Sequence, residues 1–267
     1  MNTAEPRLPA PPVTTTDVLK AVALLLILVD HIGHFLADDW AILRVIGRLG
    51  APIFFFLIGF ARSRDIPWLW LALGLLLTGV DYLWLGGIDD LQLNILFNFA
   101  LIRLMLPALE RFLGESAWRL APVLVACALV MPLVNPWLEY GSEGWLFAIL
   151  GLLHRRVQAE GARWITRRDV AGLFAFVIYA FVERHDYAFN APMTALLILG
   201  LVGLARVLRD FERRDSRLQP PSDVRRILRF CGRHSLEIYA AQIVLLAALG
   251  SLWSTDGGDA QTGEADE

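Results

Sequence analysis

Apolar runs of about twenty residues, the length that carries a helix across the hydrocarbon of a bilayer, recur from one end of the chain to the other. Inside a membrane no water satisfies the backbone, so a run of this kind must close its own hydrogen bonds. The runs are continuous rather than alternating, which selects helices over barrel strands. Nine are predicted: roughly 15 to 36, 43 to 61, 66 to 86, 91 to 109, 119 to 135, 144 to 155, 169 to 184, 190 to 208 and 233 to 253. The sixth, "GWLFAILGLLH", is short; it either starts earlier, at Trp137, or is tilted or partly re-entrant. With 56% hydrophobic residues and a mean hydropathy of +0.52, the chain is too apolar for an ordinary soluble surface. The predicted class is therefore all-α, a polytopic transmembrane helix bundle.

The charges orient these spans. Four connections are basic: "ARSRD", "ERFLGESAWR", "HRRVQAEGARWITRRD" and "RVLRDFERRDSRLQPPSDVRRILR". The alternate ones, "ADDW", "GGIDD", "NPWLEYGSEG" and "ERHDYAFN", are acidic or balanced. Since cytoplasmic loops hold the Lys and Arg excess, the N-terminus is expected inside. Residues 1–14, Pro- and Thr-rich, read as a short disordered arm ending in a helix cap. Residues 15–253 form the membrane domain and 254–267 an acidic disordered tail. The first run leads into "HFLADDW" with no small-residue cleavage pattern, so it is expected to stay attached. No internal repeat is evident, and Cys127 and Cys231 lie in separate apolar segments with no ligand spacing, so neither a disulfide framework nor a metal site follows. Nothing points to nucleic acid.

Ionisable groups within the first span are the anomaly. Lys20 and His31 are eleven positions apart, which places them within about 20° on the helix wheel and about 16 Å apart along the axis. Asp17, Leu24, Ile27 and His34 share the stripe. Lys20 near the inner boundary is also accounted for by snorkelling. His31 lies deeper, where a costly ionisable group usually faces a site or pathway. The second span carries Arg44 and Arg48 one turn apart at its outer end, against the orientation rule. They pair either with Asp38, Asp39 or lipid phosphate, or with Asp30 and His31 inside the bundle. Asp81, Asn94, Asn98, Arg103 and the cluster from Glu183 to Asp186 are the other polar positions; the paired asparagines suit interhelical hydrogen bonding, and Arg103 suits snorkelling.

Taken in order, "DVLKAVALLLILVDHIGHF", "LRVIGRLGAPIFFFLIGFARSR", "NILFNFALIRL" and "ERHDYAFNAPMTALLILGL" resemble the TraX family of conjugation-associated membrane proteins, linked to N-terminal acetylation of pilin. That family is similar in turn to the acyltransferase 3 group, whose first span carries a basic residue, ten intervening residues and a histidine. Lys20 and His31 have that spacing, and Arg44, Arg48 and Pro52 match the group's entry to its second span. "GRHSLEIYAAQ" is similar to a further pattern of the group, with Gln242 standing where the pattern has histidine.

The resemblance implies a multi-pass acyltransferase of a bacterial inner membrane that takes acetyl-CoA as donor from the cytoplasmic side, with no metal. His31, Asp30 and Arg48 are then the expected catalytic residues, His31 as general base or nucleophile, with Arg48 or Asn98 as oxyanion donor. Lys20, Asp17, Arg62, Arg64 and Arg103 would receive the coenzyme, with Arg155, Arg156, Arg167 and Arg168 as further phosphate partners, and Leu24 and Ile27 lining its channel. Arg44, His185 and Asp186 would meet the acceptor, an exported polypeptide such as pilin, a glycan or a lipid. Two other classes use the same sequence: a transporter or proton pathway through His31, Arg48, Asp81 and Arg103, and a structural subunit of a conjugation or secretion machine.

Overall fold

The computed structural model describes residues 12–37, 40–84, 92–216 and 220–258. Among them are eleven α-helices: α1 Thr15–Phe35, α2 Ala41–Gly47, α3 Gly50–Phe60, α4 Trp68–Trp84, α5 Ile95–Glu115, α6 Leu120–Val134, α7 Gly141–Glu160, α8 Ile165–Asp186, α9 Ala191–Arg209, α10 Ser222–Arg233 and α11 Ser235–Gly258. Extended chain among the described residues is confined to two isolated bridges, Thr14 with Asp215 and Leu93 with Leu138.

The expected count of about nine spans is not reached by length and composition. Five helical runs are long and apolar enough to cross a membrane: Thr15–Phe35, Ala41–Phe60, Ala117–Val134, Ala191–Arg209 and Ser235–Leu252. Trp68–Leu83 is apolar but shorter. Charges break the remaining windows, Arg103, Glu110 and Arg111 in α5, Glu143, Arg155 and Arg156 in α7, and Arg167, Arg168, Asp169 and Glu183 in α8. The sixth predicted run is no short segment: α7 begins at Gly141 and has 20 residues. At the other end α11 continues to Gly258, because hydrogen bonding outlasts the apolar pattern that stops at Trp253. Residues 1–11 and 259–267, most of the expected arm and tail, lie outside the described residues.

Local chemistry sets where the helices start and break. Thr14 caps α1: its hydroxyl accepts the Asp17 N–H while the Asp17 carboxylate accepts the Thr14 N–H, a reciprocal capping box. The second apolar run is interrupted at Arg48 and Leu49, between α2 and α3. Pro52 lies four residues after Arg48 and has no N–H to return to its carbonyl. The Arg48 carbonyl is taken instead by the Tyr179 hydroxyl of α8, at 2.6 Å.

Every residue of α3 is buried, as befits a helix apolar on all sides. Its neighbours come close because glycines stand at the crossings. A Cβ at Gly59 would lie 1.8 Å from the Ala148 carbonyl oxygen, and one at Gly151 would lie 2.0 Å from that of Phe56, so α3 and α7 meet backbone to backbone. A Cβ at Gly47 would lie 2.2 Å from that of Asp30, which fixes α2 against α1. The outer helices invert this pattern, with Leu129 and Leu133 of α6 and Leu199 and Val202 of α9 exposed.

The connections that share a charge type also meet one another. Arg64, Arg155 and Arg156 converge on Glu110, at 3.0, 2.8 and 3.1 Å. Arg167 donates to the Leu113 carbonyl, and the Thr15 N–H to that of Arg214. At the opposite end the Leu93 N–H donates to the Trp137 carbonyl, and Arg44 reaches the Tyr187 hydroxyl. The bundle thus has a basic end and a mixed, acid-rich end, in the alternation read from the sequence. α10 lies at the basic end as an amphipathic helix, exposing Val224, Ile227 and Phe230 among arginines.

Candidate functional site

A cavity of about 770 Å³ opens toward the acid-rich end, bounded by α1, α2, α4, α8, α11 and the connection before α7. α1 presents four residues to it, Asp30, His31, His34 and Phe35. Asp30 is 3% exposed. Arg48 Nε donates to Asp30 Oδ1 at 3.1 Å, and Arg48 Nη2 closes a shorter pair with Oδ2. Arg44 Nη1 lies 3.1 Å from both Asp30 Oδ2 and the Asp30 carbonyl oxygen. Two guanidinium groups thus hold one carboxylate, and both cations reach it because Gly47, between them, lets α2 lie on the Asp30 backbone. The arginines therefore turn inward rather than toward lipid phosphate; Asp38 and Asp39 lie outside the described residues.

Aromatic hydroxyls complete the clamp. Arg48 Nη1 donates to the Tyr140 hydroxyl and Arg44 Nη2 to that of Tyr187, both at 3.2 Å. The Tyr187 ring also lies under both cations, 4.6 Å from the Arg48 and 4.9 Å from the Arg44 guanidinium carbon. Tyr140 adopts a left-handed backbone, φ 56°, immediately before α7; a bulky residue holds that conformation at a cost of about 1 kcal/mol. Glu183 Oε2 stands 3.8 Å from Arg48 Nε, so the clamp carries two cations against two carboxylates. Glu139 and Glu143 also line the cavity. Burial pushes the Glu139 carboxyl up to about 7, even though its Oε2 accepts the Ile95 N–H at 2.8 Å.

His31 packs against Tyr239, 5.9 Å between ring centres, and its Nδ1 is buried with no hydrogen-bond partner. A buried imidazole nitrogen of this kind, on the wall of a polar cavity, is available to a ligand.

The structure brings some of the expected residues together and separates others. Asp30, His31, Arg44, Arg48 and Asp186 line one cavity. His185 does not; it is exposed and pairs with Asp186 at 3.1 Å. Lys20 and His31 do not share this cavity, contrary to the stripe reading: Lys20 Nζ donates to the Gly232 carbonyl at the end of α10, at 2.9 Å. The expected channel wall is closed, because Leu24 and Ile27 are core residues and a Cβ at Gly50 would lie 2.7 Å from Ile27 Cγ1. Asp17 is occupied by the capping box. Arg64 is bound to Glu110, Arg103 donates to the Asp65 carbonyl and stacks over Trp70, and Arg62 is exposed. Both residues expected to hold an oxyanion already have protein partners. All three Arg48 nitrogens are engaged, and Asn98, fully buried, donates to the carbonyls of Glu139 and Gly141.

Sequence reasoning missed Glu139, Glu143, Tyr140 and Tyr239. The first three fall in what reads as an outer loop, and the shortness of the sixth run was the signal that helix and site extend into it.

Comparison with known proteins agrees with the resemblance. The family model described as TraX protein matches residues 15–219. A Protein TraX of Escherichia coli strain K12 is 31% identical over 194 residues, covering 71% of this chain and 75% of that protein. A second Protein TraX from Escherichia coli is 33% identical over 153 residues, 54% of this chain and 57% of its own length. An uncharacterised protein of Rickettsia prowazekii is 41% identical over 44 residues, 16% of this chain and 18% of its own. No solved structure gives a significant match. With most of its length matched by the family model, the chain belongs to the TraX family.

Proposed function

We propose that this chain is an inner-membrane acyltransferase that moves an acetyl group from acetyl-CoA to an amine or hydroxyl acceptor, serving conjugation through an exported polypeptide such as pilin. The observation that carries the reading is His31: a buried, unpartnered imidazole nitrogen on the wall of a cavity large enough for a small acceptor group. In the step, the acceptor amine or hydroxyl attacks the thioester carbonyl while His31 takes its proton. The tetrahedral adduct then collapses, the carbon–sulfur bond breaks, and the imidazolium returns the proton to the departing thiolate. Arg44 and Arg48 hold Asp30, and Asp30 holds the turn of α1 from which His31 projects; that is a positioning role. Tyr140 and Tyr239 supply hydroxyl groups at the cavity for the oxyanion.

The donor's phosphates would be met at the basic end, where Lys20 keeps two N–H donors beyond the one given to Gly232 and Arg62 is exposed. Reaching His31 from there requires α1 and α3 to part at Ala23, Ile27 and Gly50, which touch in this conformation. The test is transfer from labelled acetyl-CoA to a peptide amine by purified protein. His31→Ala is expected to abolish transfer while the protein melts as the parent does. Unchanged turnover in that variant removes His31 from the chemistry.

A second reading is favoured by the carboxylates Asp30, Glu139, Glu143 and Glu183 around the same cavity: a proton or cation pathway. Proteoliposome flux in the absence of any coenzyme A binding would select it.

A further inference from the structure

A second cavity of about 550 Å³ lies between α8 and α9, floored by Leu150 and His154 of α7, and shares no lining residue with the first. Its length is apolar, from Gly172 and Phe176 to Ala180 on one helix and from Ile198 to Ala205 on the other. Arg168, Asp169, Arg209 and His154 close it at the basic end. From Arg168 to Ala180 the rise is about 18 Å at 1.5 Å per residue. Half of a hydrocarbon core about 30 Å thick is similar, so the groove matches the depth of one leaflet.

The polar end carries a net cation and an unmet imidazole nitrogen. Arg168 donates to Asp169 Oδ1 from Nε and Nη2, at 2.9 and 2.7 Å, and Arg209 Nη2 lies 3.6 Å from Oδ2. One carboxylate is thus shared by two guanidinium groups, leaving one positive charge in excess. His154 is 3% exposed. Its Nε2 sits 2.7 Å from the Phe211 carbonyl oxygen and 3.1 Å from Gln158 Nε2. The other nitrogen, Nδ1, is buried without a partner.

We infer that the groove between α8 and α9 binds an anionic phospholipid of the leaflet at the basic end, its acyl chain along Phe176 and Val202, its phosphate on Arg168 and Arg209, and a headgroup hydroxyl on His154 Nδ1. This goes beyond the acyltransfer reading and does not depend on it. An apolar chain fits walls that offer it no hydrogen bond; the excess cation selects a negative headgroup over a zwitterionic one. The unmet His154 nitrogen calls for a hydroxyl, which both donates and accepts and which a glycerol headgroup supplies.

Native mass spectrometry of the full chain, released from micelles carrying phosphatidylglycerol or phosphatidylcholine, reads the site directly. Phosphatidylglycerol is expected to be retained preferentially. Arg209→Gln, at an exposed helix end, is expected to weaken its retention about fivefold and to leave phosphatidylcholine unaffected. Ala205→Phe, which fills the groove, is expected to abolish retention of both; if that variant fails to fold, Arg209→Gln still decides. Equal retention of the two lipids by the parent, or an Arg209→Gln variant that binds phosphatidylglycerol as the parent does, overturns the assignment. Displacement of the lipid by coenzyme A or inorganic phosphate also overturns it, since the acyl chain would then contribute nothing.

Discussion

Replacing Asp30 by Asn tests the clamp that organises the cavity. The side chain keeps its volume and loses its charge, so Arg44 and Arg48 remain buried, 6% and 8% exposed, with their shared carboxylate gone. Removing one member of a buried ion pair costs about 3–5 kcal/mol, because the remaining charge stays desolvated. Here Glu183, 3.8 Å from Arg48 Nε, still offsets one of the two cations, which holds the loss near 3 kcal/mol. For a chain of this size that corresponds to a fall in melting temperature of about 10 °C. Thermal unfolding of the purified protein in detergent measures it. Adding Arg44→Gln removes one of the two cations and leaves Arg48 beside Glu183, so the double variant is expected to melt above Asp30→Asn alone, with a coupling of about 1–3 kcal/mol. An Asp30→Asn variant that melts within 2 °C of the parent, about the scatter of neutral surface changes, refutes the clamp as a structural element.

Gly151→Ala sets a Cβ 2.0 Å from the Phe56 carbonyl and is expected to cost about 3 kcal/mol or more by driving α7 off α3, read as a lower melting temperature. Gly203→Ala in α9, where a Cβ meets nothing within 4 Å, is the contrasting control and is expected to stabilise by about 0.5–1 kcal/mol. Glu139 gives a pH prediction. Its carboxyl is raised from 4.5 to about 7 by burial, so the folded chain binds the extra proton, and the stability this confers is complete below pH 4.5 and lost as pH rises through 7. Glu139→Gln, which still accepts the Ile95 N–H, is expected to flatten that decline, worth up to about 3 kcal/mol, in melting curves taken from pH 5 to 8.

Half of the cavity was legible because its residues break a rule. Arg44 and Arg48 oppose the orientation bias that every basic connection obeys, and His31 and Asp30 sit in a run otherwise built for hydrocarbon. Arg44, Arg48 and Asp30 needed partners and found one another, and His31 stands on the wall of the same cavity. The other half follows no rule a one-dimensional reading can apply. Tyr140 and Glu139 reach the site through a left-handed turn set after α6, and Tyr239 comes from a helix some two hundred residues beyond His31. Lys20 stays out of the His31 cavity for the same reason. Its place on the stripe is correct, but its partner is a backbone carbonyl of α10, and carbonyls at helix ends leave no mark in side-chain pattern. The count of about nine spans is left unconfirmed where α5, α7 and α8 carry charges inside otherwise apolar helices, which is also where they meet the ion-pair clusters.

Gly47 stands on Asp30 with no side chain between the two backbones, so the spacing of α1 from α2 is set by main chain and admits no adjustment by rotamers. The carboxylate and its two cations consequently travel as one block, and any motion that admits a substrate from the basic end must swing α1 together with α2 as a single lever, or leave both behind and move their neighbours.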